Sequence, residues 1–154
     1  MKKIFAVFAL SAFALATQAM AATNYSGEWK LNVSKSEFGP APQPEFMNRS
    51  IAQTDGAITL KTHSKGAQGE VKTELKYTLD GKECTNTING AASKGNAKWA
   101  GDKLVIESTR DNQGMQMKFK ETMTLSDGGK VMTINNHVSV MDQEFDIVFV
   151  FDKQ

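Results

Sequence analysis

The stretch Met115-Gln116-Met117-Lys118-Phe119-Lys120-Glu121-Thr122-Met123-Thr124-Leu125 decides the fold class. Its odd-numbered positions carry Met, Met, Phe, Glu, Met and Leu, and its even-numbered positions carry Gln, Lys, Lys, Thr and Thr. An apolar face alternating with a polar one at a period of two marks a strand that buries one side and wets the other, because successive Cβ atoms point to opposite faces. The same alternation runs through Trp29, Leu31 and Val33, and through Val71, Thr73, Leu75, Tyr77 and Leu79. No segment sustains the spacing of an amphipathic helix.

Outward from that stretch, turn residues punctuate the chain: Thr54-Asp55-Gly56, Lys65-Gly66, Leu79-Asp80-Gly81-Lys82, Asn89-Gly90, Gly101-Asp102, Asn112-Gln113-Gly114 and Ser126-Asp127-Gly128-Gly129. Between them lie about ten candidate strands, at 26–33, 46–53, 57–63, 70–78, 83–88, 92–99, 103–110, 115–125, 130–140 and 144–152. Short strands joined by tight turns predict an all-β fold, an antiparallel up-and-down barrel of about 8 to 10 strands, with a sandwich as the other solution. The last candidate strand is apolar on both faces, with Phe145, Ile147, Phe149 and Phe151 alternating with Val148 and Val150, and is expected to be buried on both sides. All three prolines fall in Gly39-Pro40-Ala41-Pro42-Gln43-Pro44, which is either a plain connector between the first two strands or a lid across one end of the barrel.

Composition narrows the function. The 154 residues carry 18 Lys+Arg against 17 Asp+Glu, for a formal charge of +1, and only Arg49 and Arg110 are arginines. With no basic cluster to neutralise phosphates, nucleic acid is not an expected partner. Two histidines 74 positions apart and a single cysteine, Cys84, give no metal cluster, no internal disulfide and no implied cofactor. Cys84 is expected to be a small buried side chain.

Residues 1–21 read MKKIFAVFALSAFALATQAMA: two lysines, an apolar run, then Ala19-Met20-Ala21. This is the pattern of a signal peptide with an A-x-A site, cleaved after Ala21. The run is shorter than the roughly 20 residues needed to span a bilayer, so no membrane anchor is expected. Losing Lys2 and Lys3 takes the formal charge from +1 to −1. The expected mature protein is one domain over residues 22–154, periplasmic or secreted, acting as a monomer, and long enough to bury a core without staples.

The segment Tyr25-Ser26-Gly27-Glu28-Trp29-Lys30-Leu31-Asn32, followed by Ser34, Ser36 and Phe38, resembles the start of the calycins, the superfamily of lipocalins and fatty-acid-binding proteins. Their shared Gly-x-Trp is Gly27-Glu28-Trp29 here. The resemblance implies that the indole plugs the closed end of a barrel while the glycine permits close backbone approach. It also implies a cation stacked over the Trp, a part Lys153 can take if the last strand pairs with the first. Two features depart from the fatty-acid-binding proteins. The proline segment stands where they insert two short helices, and Phe149-Val150-Phe151 stands where they carry Arg-x-Tyr to hold a carboxylate. The whole chain is similar to small exported bacterial lipocalin-like proteins.

Polar residues on otherwise apolar faces are the candidate ligand contacts, since a lone charge inside a barrel needs a partner. Glu121 shares a face with Phe119 and Met123, Arg110 with Leu104 and Ile106, Arg49 with Met47 and Ile51, and Asn136 with Met132, Ile134 and Val138. An interior Glu with one or two Arg would orient the polar end of a ligand. A rim or bulge position for each, or a plain Glu–Arg pair, is the other reading. Trp29, Phe46, Tyr77, Trp99, Met115, Met117, Phe119, Met132, Phe145 and Phe149 are expected to line or fill the barrel. The predicted ligand site is therefore Trp29, Arg49, Tyr77, Arg110, Met117, Phe119, Glu121 and Asn136.

The function this predicts is non-enzymatic carriage of a small apolar or amphipathic molecule. An envelope interaction module with a side-chain-filled barrel is the alternative. An enzyme is a third, and would require Glu121, His63 or His137 to converge in one cavity, since no catalytic motif is present.

Overall fold

The computed structural model describes residues 23–112 and 114–154, so the expected signal peptide lies outside the described residues. Ten strands follow in order: β1 Gly27–Leu31, β2 Phe46–Gln53, β3 Ala57–Gly66, β4 Gly69–Thr78, β5 Cys84–Ile88, β6 Ala91–Ala100, β7 Lys103–Asn112, β8 Met115–Ser126, β9 Val131–Val140 and β10 Gln143–Lys153. Only two 3-10 turns, Val33–Lys35 and Asp127–Gly129, interrupt them. No helix among the described residues is long and apolar enough to cross a membrane.

All ten strands form one antiparallel sheet in the order β4-β3-β2-β1-β10-β9-β8-β7-β6-β5. The first and last strands pair, with Trp29 opposite Lys153 and Leu31 opposite Phe151, which curls the sheet into a nearly closed barrel. The seam lies between β4 and β5, which share no ladder. There the Asn86 side chain spans the gap, its Oδ1 accepting from the Lys76 amide at 2.7 Å and its Nδ2 donating to the Lys76 carbonyl at 3.1 Å. Cys84 stands at the same seam and accepts from the Thr78 amide at 3.4 Å. It is half-buried rather than buried, because its strand borders the opening.

The inward faces grade from one end to the other. Tyr25, Trp29, Ile58, Leu104, Met123, Met132, Ile134 and Phe151 are all within 1% of complete burial and fill one half. Inward residues of the other half, including Met47, Thr73, Met117, Phe119 and Phe145, stay partly accessible. One end is thus closed by side chains and the other is open. Trp29 donates from Nε1 to the Tyr25 carbonyl at 2.9 Å, and the Tyr25 hydroxyl donates to the Met123 carbonyl at 2.6 Å, so the plug has its polar atoms satisfied. Lys153 Nζ lies 5.2 Å from the centroid of the Trp29 ring.

β1 is short, and the chain after it takes the place β1 vacates beside β10. Glu37 and Val148 exchange backbone hydrogen bonds of 2.8 and 2.7 Å, and Phe38 packs edge-on against Phe149 with centroids 6.1 Å apart. The proline segment therefore continues a strap fastened along the barrel wall, with neither the two helices of the fatty-acid-binding proteins nor a free connector. This strap also explains the outward residues of β10: Val148 and Val150 are half-buried beside it, short of the full burial their apolar character predicts. On the outer surface, pairs such as Lys61–Glu74 and Lys120–Glu107 cross adjacent strands in solvent, where each contributes little.

Candidate functional site

The polar residues predicted from their register meet inside the barrel. Arg49 sits in β2 directly opposite Trp29 on β1 and Thr62 on β3. Its Nε donates to Thr62 Oγ1 at 3.1 Å and its guanidinium carbon lies 5.5 Å from the centroid of the Phe151 ring, so the side chain is held on two sides. Its Nη1 approaches Glu121 Oε2 at 3.8 Å, an ion pair without a hydrogen bond.

Arg110 comes from β7, opposite Ser93 on β6 and Met117 on β8. Its guanidinium carbon stacks 4.1 Å from the Phe119 ring centroid. Burial pulls its pKa down from the usual arginine value, while the Glu121 carboxylate works in the other direction. Tyr77, buried on β4, is pushed up to about 12, mainly by burial and next by the Glu121 charge, with Arg110 opposing. Its phenol therefore stays neutral. Asn136 stands directly opposite Glu121 on β9 and is buried.

Two guanidinium groups thus face one carboxylate. Among the described residues, the buried atoms without a hydrogen-bond partner are Arg49 Nη1, Arg110 Nε and Asn136 Oδ1, all in this cluster. An interior polar atom left unpaired costs stability, and these three lie together in one cluster.

The predicted site residues divide as follows. Arg49, Tyr77, Arg110, Met117, Phe119, Glu121 and Asn136 come together around this cluster. Trp29 lies next to Arg49 in register but is 1% exposed and belongs to the plug, so it forms the floor beneath the cluster. Among the wider set expected inside, Phe46 faces outward, because β2 turns Met47, Arg49 and Ile51 inward; its ring packs on His63 with centroids 5.0 Å apart. Met115 lies exposed at the rim. Met132 fills the closed half, and Trp99 stacks on Tyr25 there.

Thr62 and Phe151, which hold Arg49, and Ser93, opposite Arg110, were not singled out by the sequence. Alternation with Ile58 and Leu60 puts Thr62 on the inward face, but only the cross-strand register shows that it meets Arg49. His63 and His137 lie on the outer surface with Glu70 at 3.1 Å and Asp146 at 2.7 Å, so they do not converge with Glu121. The constellation that an enzymatic reading requires is not assembled.

No protein-family model matches the chain, and no curated protein does. Solved structures do. Zebrafish ileal bile acid-binding protein complexed with cholic acid superposes with a TM-score of 0.59 at 18% identity, covering 84% of this chain and 98% of that one. A secretory abundant heat soluble protein from Ramazzottius varieornatus gives 0.60 at 12% identity over 87% and 98% of the two chains. Schistosoma mansoni fatty acid binding protein in complex with arachidonic acid gives 0.52 at 15% identity over 84% and 96%. At such identities the likeness shows the fold alone: a nearly closed, ten-stranded antiparallel barrel.

Proposed function

We propose that the barrel takes up a small amphipathic molecule, with its apolar part along Met117, Phe119 and Phe149 and its polar end at Arg49, Arg110 and Glu121. The observation that carries this reading is the pair of buried guanidinium groups, each with an unpaired nitrogen, beneath an accessible upper half. Apolar walls supply affinity and a few convergent polar groups supply orientation, the usual division in a small-molecule site. The zebrafish and Schistosoma neighbours hold cholic acid and arachidonic acid, which supports an amphipathic occupant. The leader-like residues 1–21 support carriage outside the cytoplasm, in the periplasm or medium, by a protein beginning after Ala21.

Native mass spectrometry of the protein purified from its own compartment, followed by denaturing extraction, tests the reading. We expect a stoichiometric adduct that is released as an amphipathic molecule, and a rise in melting temperature when that molecule is added back. A clean apo mass, with no thermal gain across a lipid panel, would instead favour a barrel filled by its own side chains and serving protein contacts.

A further inference from the structure

We propose that Glu121 is the barrel's internal counter-ion: it occupies Arg49 until an anionic headgroup takes its place. The inference rests on the interior binding proposed above and adds the residue that competes with the ligand, an amphiphile with a carboxylate, sulfonate or phosphate end.

The asymmetry of the Arg49–Glu121 pair carries the argument. Arg49 is fixed by the Thr62 hydroxyl and the Phe151 ring, and its side chain is 10% exposed. Glu121 is 22% exposed, meets Arg49 only at 3.8 Å, and has no hydrogen bond to it. The cation is thus the anchored partner and the carboxylate the movable one. With Arg110 adding a second cation nearby, the cluster carries more positive than negative charge, and a single carboxylate cannot satisfy both guanidinium groups. An incoming oxyanion can, because it accepts paired N–H donors as well as charge. Glu121 already fills the position that such a headgroup would take.

The test uses two fluorescent probes on the full-length mature protein and on Glu121→Gln: anilinonaphthalene sulfonate, ionised throughout, and the neutral phenylnaphthylamine. Glu121→Gln should bind the sulfonate roughly tenfold more tightly than the natural protein at pH 7. The neutral probe should bind both proteins alike, and its retained binding shows that the variant is folded. Equal sulfonate binding by both proteins overturns the counter-ion role and leaves interior binding standing. An equal gain for both probes in the variant also overturns it, since the effect would then not depend on ligand charge. Failure of either protein to bind either probe would overturn interior binding itself, and the counter-ion role with it.

Discussion

Gly27 shows how much one residue carries at the closed end. Its φ of +140° lies where side chains are rarely accommodated, and a Cβ built there would meet Lys153 Cε at 2.7 Å, the same lysine that covers Trp29. Gly27→Ala should therefore lower stability by about 1–3 kcal/mol in urea unfolding. Adding Lys153→Ala should recover only part of that loss, because it removes the contact and leaves the backbone strain. Full recovery would mean that the contact alone makes glycine necessary. This residue-scale logic was legible in the sequence: Gly27-Glu28-Trp29, a distant Lys153 and a closed barrel suffice to stack the cation on the indole. Thr62 as the anchor of Arg49 was not legible, since alternation with Ile58 and Leu60 gives the face of the threonine but not the residue opposite it on the next strand.

At the scale of elements, alternation within segments bounded by turn residues placed all ten strands, most within a residue or two of their observed ends. The turns were less legible. Asn89-Gly90 turns with φ of 50° and 81°, the conformation its sequence favours, whereas the β9–β10 hairpin turns at Met141, with φ of 52°, where no Gly or Asn announces it. There the strands dictate the turn. The strap was legible only as a place where no central strand can lie, because its anchor on Val148 is a backbone contact that no side-chain pattern encodes.

The seam between β4 and β5 lies at the same scale, since a side chain replaces a ladder there. Asn86→Ala should cost about 1–3 kcal/mol, because it removes two hydrogen bonds and leaves the Lys76 amide and carbonyl without partners. Hydrogen exchange offers the local check, with the Lys76 amide expected to exchange much faster in the variant while amides in the β8–β9 ladder change little. Uniform acceleration across all strands would show that Asn86 supports the whole fold and not the seam alone.

For the whole molecule, topology sets the folding rate. Trp29 pairs with Lys153, so closure needs β1 and β10, more than 100 residues apart, to meet, and among the described residues the sheet is built from antiparallel pairings with no α-helix to fold locally. Folding followed by Trp29 and Trp99 fluorescence should thus take milliseconds to seconds. A relaxation completed within tens of microseconds would contradict this dependence on distant pairing.

The break between β4 and β5 also governs size. Nine ladders fix the spacing of neighbouring strands around most of the circumference, while side chains, Asn86 and Cys84, cross the remaining interval. Such a molecule behaves as a split ring, whose bore widens at the split without disturbing the rest of its rim. On the carriage proposed above, the girth of the cargo is set at the split and its charge by the two arginines.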